Sequence, residues 1–237
     1  MNAPDQARPL ITDELEVLSA LVPLERQTII ELGCGAAQMA RSLLKRFPGS
    51  SITGLEVDQR QHAKNLANPQ EGLHFVAAGA QAIPAADASF DLALMLKSLH
   101  HVPMPLLATA LNEAARVLRD GGHLYVSEPV YGGPFNEVIR TYNEEGAVRA
   151  AAQAAVDQAV AQGPWAQVAE QHFDMPVRFA SFDDFEGRMM RPTFADHKLD
   201  EAKIAAARRA FLAHARPDGS ADFLRPMHVR LLRRKSR

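Results

Sequence analysis

A short glycine loop at 33–35 and two nearby carboxylates have the residue types and spacing of a nucleotide-binding site. Glycine permits a positive φ and lets a ligand approach the backbone, and the helix predicted over 38–47 would present unpaired N–H groups behind the loop. Glu31 precedes the loop, and Glu56 follows about 20 residues later, where a carboxylate can accept both hydroxyls of a ribose. These residues predict a site for a nucleotide-type cofactor.

The residue three positions after the second glycine indicates whether the cofactor is a nicotinamide dinucleotide. The dinucleotide fingerprint requires a glycine or an alanine there, and this chain has Gln38. A nicotinamide cofactor is therefore disfavoured, and a nicotinamide oxidoreductase is kept only as an alternative.

The chain from 29 to 37 resembles the first motif of class I S-adenosylmethionine (SAM) dependent methyltransferases. That motif usually reads acid-x-Gly-x-Gly-x-Gly, and the sequence here is Ile-Ile-Glu-Leu-Gly-Cys-Gly-Ala-Ala. Ala37 stands where the last glycine is usual. Because alanine has no easy access to positive φ, we expect Ala37 to belong already to the following helix.

The resemblance covers about residues 28–130 and continues in order through four further segments. They are similar to the family's adenine loop at 80–84, its fourth strand at 89–94, a histidine-containing segment at 98–102, and a helix, turn and fifth strand over 112–124. The histidine segment is frequent in the ubiquinone and small-molecule methyltransferase group. The ordered set is more specific than any single motif.

The resemblance implies how the site would hold SAM. The loop backbone would pass beside the methionine and the ribose, Glu56 would hold the ribose hydroxyls, and Glu31 would orient the loop or meet the ammonium group. Ala80 would donate its N–H to the adenine ring, and Cys34 is interpreted as a small loop filler and not a nucleophile. The cofactor-binding positions are thus Glu31, Gly33, Cys34, Gly35, Glu56, Ala80, Gln81 and Leu96.

The adenine loop departs from the family pattern. The family commonly has Asp-Ala-Glu, and this chain has Gly79, Ala80 and Gln81. The acid that would read the exocyclic amine is missing, although Gln81 can offer a neutral carbonyl. A lost hydrogen bond of this kind costs on the order of 1 kcal/mol, so we expect weaker binding.

Methyl transfer needs a general base only if the acceptor keeps a proton, because a sulfonium is already a good leaving group. Candidate bases follow the fourth and fifth strands: His101 first, then His100, and Tyr131 with Glu128. The alternative is that the histidines cap the next helix and pack against the sheet. Lys97 beside them indicates either an exposed strand end or a charge that meets an anionic substrate.

Composition excludes several classes of function. The chain has 237 residues, 47% of them hydrophobic, and a net charge of −2, so nucleic acid is not a favoured partner. We expect no metal, since His100 and His101 should point in different directions and the one cysteine sits in the loop. A single cysteine and the lack of long apolar stretches favour a soluble, cytoplasmic protein without a membrane partner, either a monomer or a homodimer.

Short apolar runs alternate with helical segments up to residue 129, which predicts a doubly wound, mostly parallel α/β sheet of seven strands. The predicted strands are 27–32, 51–57, 73–78, 90–96, 122–127, a weak strand at 176–180, and 227–232. With the resemblance, this gives a Rossmann-like methyltransferase fold with a helical cap. The expected segments are an N-terminal helical segment at 1–26, a SAM-binding core at 27–129, a cap at 130–200, and a C-terminal helix and closing strand at 201–237.

The cap is expected to recognise the substrate. Its clearest element is an alanine-rich helix predicted over 146–162. Aromatic and arginine side chains that could line a pocket are Tyr131, Phe135, Arg140, Tyr142, Trp165, Phe173, Arg188 and Arg191. We therefore predict O- or C-methylation of a small molecule, with a SAM-binding protein that does not transfer methyl groups as the alternative.

Overall fold

The computed structural model describes residues 8–193 and 195–236. Residues 1–7 and 237, at the outer ends of the predicted 1–26 and 201–237 segments, lie outside the described residues. Among the described residues, no helix is both long and apolar enough to cross a membrane.

Seven strands form one sheet in the order β3-β2-β1-β4-β5-β7-β6, with helices on both sides. The strands are β1 (Thr28–Leu32), β2 (Ser51–Leu55), β3 (Leu73–Val76), β4 (Phe90–Leu96), β5 (Leu118–Pro129), β6 (Trp165–Phe179) and β7 (Ala221–Arg234). The sheet is mixed but mostly parallel, so the predicted α/β fold class is confirmed.

Strand β1 lies inside the parallel part of the sheet. It pairs with β2, where Ile30 lies opposite Thr53, and with β4, where Ile30 lies opposite Ala93. Strand β1 is almost entirely buried, which explains its continuous apolar sequence. Because β1 to β5 pair in parallel, their carboxyl ends share one edge of the sheet.

The helices are α1 (Glu14–Leu21), α2 (Gln38–Arg46), α3 (Gln59–Leu66), α4 (Leu107–Val117), α5 (Gly133–Ile139), α6 (Gly146–Gln162), α7 (Phe182–Phe185) and α8 (Glu201–Leu212). A 3-10 turn at Leu99–His101 follows β4. The alanine-rich helix α6 has the predicted bounds.

The last two strands are longer than predicted. Strand β6 begins at Trp165, whereas the sequence predicted only 176–180, and β7 runs from Ala221 and not from 227. Most β6 residues are half-buried or exposed, so the strand carries no clean apolar alternation. Strand β5 also starts earlier than its predicted 122–127, at Leu118.

The chain divides into two compact units. Of the described residues, the sheet unit comprises 14–128, 146–170 and 229–236. Its core combines buried side chains of the strands with those of α4 and α6, including Leu111 and Val156. Helix α6, although expected in the cap, belongs to this unit.

Of the described residues, the second unit comprises 8–13, 129–145, 171–193 and 195–228. It contains α5, α7 and α8 and has an aromatic core. The buried members are Phe135, Tyr142, Phe179, Phe182, Phe185, Phe211 and Phe223, which pack with aliphatic neighbours. The division into core and cap at 130 and 200 stays a prediction.

Candidate functional site

The glycine loop at 33–35 directly follows β1, and its two glycines serve different purposes. The N–H groups of Gly33 and Cys34 donate to the Leu55 carbonyl at 3.0 and 2.8 Å. Gly33 has a φ of 79°, and a Cβ there would lie 2.8 Å from the Cβ of Ser98. Gly35 has a φ of 52°, and a Cβ there would meet nothing within 4 Å. Packing requires glycine at 33, whereas Gly35 leaves open space beside the backbone.

Ala37 does not belong to the helix, contrary to the prediction. It is the N-cap residue of α2 and adopts the left-handed conformation, with φ 54° and ψ 36°. The turn from loop to helix needs this geometry, which costs an L-residue roughly 1–2 kcal/mol. Ala37 therefore keeps the backbone conformation of the glycine that is usual in the motif.

Glu56 fixes the loop from the end of β2. Its Oε2 accepts the Gly35 N–H and its Oε1 accepts the Asp58 N–H, both at 2.8 Å. Asp58, and not Glu56, caps α3. The buried Asn65, which the sequence analysis did not single out, donates from Nδ2 to the Gly35 carbonyl at 2.7 Å. The carboxylate and the loop thus form one hydrogen-bonded unit.

Glu31 lies beneath the loop and is 3% exposed. Burial raises the pKa of this carboxyl to about 8, against the opposing charge of Lys97. Within the described part of the chain, its Oε2 has no hydrogen-bond partner. An unpartnered buried carboxyl oxygen is a natural acceptor for a cationic group of a ligand.

Lys97 is half-buried and forms an ion pair within the protein. It has a φ of 58°, and its Nζ donates to Oε2 of the buried Glu14 at 2.9 Å. The Tyr125 hydroxyl donates to the other oxygen of Glu14 at 3.4 Å. The positive charge of Lys97 opposes the rise in the Glu31 pKa, and the negative charge of Glu14 adds to that rise.

Cys34 has the environment of a structural residue. Burial, with the nearby charges of Glu31 and Glu56, raises the pKa of its thiol, so the sulfur stays protonated. A Cβ on Gly54 would lie 2.9 Å from its Sγ. A buried thiol is a poor nucleophile, which supports its interpretation as a loop filler.

Helix α4 holds the segment that follows β3. The Ile83 N–H donates to Glu113 Oε2 at 3.0 Å, and Arg116 donates to the Ile83 and Ala85 carbonyls at 2.9 and 2.8 Å. Arg116 also binds Glu113 at 2.7 Å and lowers the pKa of that carboxyl. The sequence analysis assigned these two residues only to a helix.

The remaining cofactor candidates lie at the same edge. Ala80 is buried in the core, Gln81 is half-buried, and Leu96 is the half-buried last residue of β4. Val57, directly after Glu56, is 63% exposed. The sequence analysis placed Val57 inside the predicted strand 51–57, whereas β2 ends at Leu55.

His100 and Glu128 form a buried pair. Glu128 Oε2 is hydrogen-bonded to His100 Nδ1, and its Oε1 accepts the Leu99 N–H at 2.9 Å. A carboxylate on Nδ1 fixes the imidazole orientation and leaves Nε2 as the other ring nitrogen. The pair therefore has the arrangement of a carboxylate-oriented general base.

His101 and Tyr131, the other catalytic candidates, are exposed. The rings of His100 and His101 lie 4.1 Å apart on the 3-10 turn, so the expectation that they point in different directions was wrong. The expectation that the site holds no metal was argued partly from those directions, so it now has less support and stays a prediction. Tyr131 belongs to the second unit, where its hydroxyl donates to Glu144 at 2.8 Å.

Most aromatic residues proposed to line a substrate pocket are core residues. Phe135, Tyr142 and Phe173 are buried within the second unit, and Trp165 is buried in the sheet unit. Arg188 packs over the Phe179 ring at 4.5 Å. These side chains stabilise their units.

Comparison with known proteins gives a family match. A family model described as a methyltransferase domain matches residues 30–126. The 27-O-demethylrifamycin SV methyltransferase of Amycolatopsis mediterranei is 33% identical over 129 residues, which are 52% of this chain and 46% of that protein. An O-methyltransferase of Pyrenophora dematioidea is 36% identical over 137 residues, 55% of this chain and 50% of that protein. The matched region spans about half the length of these curated relatives.

A solved structure supports the fold. The YcgJ protein from Bacillus subtilis superposes with a TM-score of 0.63 at 19% identity, covering 94% of this chain and 97% of that chain. Similarity at this identity concerns the fold alone.

Proposed function

We propose, from the membership of residues 30–126 in the class I SAM-dependent methyltransferases, that this chain transfers a methyl group from SAM to a small molecule. The glycine loop follows β1, Glu56 follows β2 and His100 follows β4, while Glu128 lies near the carboxyl end of β5. These four strands are neighbours in the sheet. Ligands of open α/β sheets bind at this edge. The convergence of a cofactor loop and an oriented base at one edge is the observation that carries the proposal.

The residues at this edge fit SAM by their chemistry. The buried, unpartnered Oε2 of Glu31 suits the ammonium group, and the carboxylate of Glu56 suits the ribose hydroxyls. Open space beside Gly35 admits a ligand to the backbone, and Val57 offers an apolar surface to the base. SAM supplies a methyl group on a sulfonium, so the protein must mainly position the acceptor and exclude water.

His100 is the base that the geometry favours, in place of His101, which was the first choice from the sequence. Bound SAM would supply its methyl group to an acceptor hydroxyl, and Nε2 of His100 would take the proton that the hydroxyl loses. Glu128 on Nδ1 stabilises the imidazolium that results. A positioned base of this kind contributes about 10² to 10⁴ in rate.

The names of the relatives favour oxygen as the acceptor atom. Both relatives described above are named as methyltransferases, one at a 27-O position and one simply as an O-methyltransferase. We therefore propose O-methylation first, with C-methylation as the alternative. The formal charge of −2 gives no general attraction to nucleic acid. A cytoplasmic location and a monomeric or homodimeric state stay predictions.

Methyl-labelled SAM tests the proposal. The protein is incubated with a cell extract, which is then separated into small-molecule, protein and nucleic-acid fractions. We expect a labelled small molecule other than SAM itself, formed in a one-to-one ratio with S-adenosylhomocysteine. Label confined to protein or nucleic acid would contradict the proposed acceptor class.

Two variants separate binding from catalysis. His100→Ala should bind S-adenosylhomocysteine like the wild type and transfer methyl about 10²-fold more slowly or worse. Glu56→Ala should lose both binding and transfer. Binding of SAM with no turnover on any fraction would favour the alternative, a SAM-binding protein without methyl transfer.

A further inference from the structure

Two histidines face each other on the last two strands of the sheet. The rings of His172 on β6 and His228 on β7 have centroids 4.2 Å apart and planes that differ by 10°. His172 is exposed and His228 is half-buried, and both belong to the second unit. The sequence analysis weighed only His100, His101 and Cys34 as metal ligands, so it did not consider this pair. The two imidazoles are accessible and share no residue with the proposed methyl-transfer site.

The register of the two strands explains why the rings meet. Strands β6 and β7 are neighbours in the sheet, and the Arg178 Nε lies 3.9 Å from the Asp222 Oδ1. A step of six residues back along β6 and six residues forward along β7 leads from this ion pair to His172 and His228. The strands therefore run antiparallel there, and the two histidines are directly opposed. Because opposed residues on one face have Cβ atoms about 4.5–5.5 Å apart, the backbone holds the imidazoles side by side.

Buried neighbours keep both rings on the accessible side of their strands. Phe173 follows His172 and is 1% exposed, and Met227 precedes His228 and is fully buried. Side chains alternate between the two faces of a strand, so the imidazoles project away from these core residues. The core packing of the flanking residues thus fixes the direction of the pair.

The charged residues next along each strand are compatible with a bound cation. By strand alternation, Glu170 lies on the same side of β6 as His172, and Arg230 lies on the same side of β7 as His228. Arg230 donates to the Asp157 carboxylate at 2.6 Å, which offsets its positive charge. The exposed carboxylate of Glu170 adds a negative charge, which favours a cation nearby.

We propose that His172 and His228 bind a divalent transition-metal ion of the class of Zn²⁺, Ni²⁺ and Cu²⁺. Imidazole nitrogen suits these ions, whereas Mg²⁺ and Ca²⁺ prefer oxygen ligands. A ring nitrogen of His172 lies within 4.8 Å of a ring nitrogen of His228. A tetrahedral zinc ion with bonds of about 2.0–2.1 Å holds two nitrogens about 3.4 Å apart, a separation that rotation of the accessible rings supplies. Water fills the remaining coordination positions, and the inference does not depend on the proposed function.

Calorimetric titration of the full chain with ZnCl₂ and NiCl₂ tests this inference, with MgCl₂ as the comparison. We expect Zn²⁺ and Ni²⁺ to bind and Mg²⁺ to give no heat of binding. His172→Gln and His228→Gln should each weaken Zn²⁺ binding at this site by at least about tenfold, because a single imidazole cannot chelate the ion. His74→Gln, which changes an exposed histidine on β3, is the matched control and should bind like the wild type.

Thermal unfolding with and without Zn²⁺ gives a second readout. Zn²⁺ should raise the unfolding midpoint of the wild type and of His74→Gln more than that of His172→Gln or His228→Gln. Equal midpoints without metal show that the variants keep the fold.

The adjacent rings of His100 and His101 provide the competing pair of imidazoles. His101→Gln should keep the Zn²⁺ binding that depends on His172. Zn²⁺ binding that is lost in His101→Gln and unchanged in His172→Gln would overturn the inference. Failure of the wild type to bind either Zn²⁺ or Ni²⁺ would overturn it as well.

Discussion

Gly33 and Gly35 show that two glycines in one loop can be required for different reasons. Both have positive φ, but only at Gly33 would a side chain meet a neighbour, the Cβ of Ser98 at 2.8 Å. Gly35 has free space on its Cα and donates its N–H to Glu56. Substitution should therefore affect folding at the first position and ligand binding at the second.

Alanine substitution separates the two roles. Gly33→Ala should lower the free energy of unfolding by about 2–3 kcal/mol, because strain and a steric clash add. Gly35→Ala should cost about 1 kcal/mol of stability but reduce affinity for S-adenosylhomocysteine more strongly, since its methyl group occupies ligand space. Chemical denaturation and calorimetry measure both quantities. Equal stability losses in the two variants would contradict this assignment.

We predict that Glu31 couples cofactor binding to protonation. With a pKa of about 8, its carboxyl is mostly neutral at neutral pH, and it must ionise to pair with an ammonium group. In the ligand-free protein, the folded state holds a proton that the unfolded state releases above its ordinary pKa of 4.5. This group therefore lowers stability as the pH rises from about 4.5 to 8.

Binding of S-adenosylhomocysteine at about pH 6.5 should release about one proton, because Glu31 ionises while the ligand amine stays charged. Its affinity should rise with pH up to about 8. Calorimetry in two buffers of different ionisation enthalpy measures the proton count. Glu31→Gln should release none, and a wild-type count of zero would show that Glu31 does not ionise on binding.

At the scale of elements, helix α4 serves the site from a distance. Arg116 and Glu113 lie on one face of the helix and together hold the segment at 83–85 through hydrogen bonds of 2.8 to 3.0 Å. The segment they fix continues directly from Ala80 and Gln81. The helix thereby holds the segment that directly follows Ala80 and Gln81, two of the predicted cofactor-binding residues.

Arg116→Ala should reduce stability by about 1.5–3 kcal/mol, the usual size for hydrogen bonds to charged groups. It should also weaken binding of S-adenosylhomocysteine, because the segment at 79–85 loses its anchor. Arg209→Ala, an exposed arginine on α8, is the matched control and should change neither. Unchanged affinity for S-adenosylhomocysteine in Arg116→Ala would show that α4 does not influence cofactor binding.

The sequence correctly predicted those elements whose structure depends mainly on neighbouring residues in the chain. The buried run of β1 and the alanine-rich α6 followed from their sequence, and the glycine loop with its two carboxylates was located without the structure. Strand β6 was largely missed because its pairing with a distant strand, and not its own periodicity, makes it a strand. The pairing of His100 with Glu128 and the stacking of His172 on His228 depend on side-chain directions, which spacing alone does not supply.

At the scale of the whole molecule, the proposed site lies in one of the two compact units. The proposed cofactor residues and the His100–Glu128 pair all belong to the sheet unit, as do the residues matched by the methyltransferase family model. The second unit, with its own aromatic core, lies outside that match. Acceptor specificity is therefore the property that the family match informs least.

Calorimetric titration of the full chain with S-adenosylhomocysteine, with Glu56→Ala and NADH as controls, tests the central claim most directly. We predict micromolar binding to the wild type, loss of binding in Glu56→Ala, and no binding of NADH. Absence of binding to the wild type, or binding of NADH instead, would contradict a SAM-dependent site.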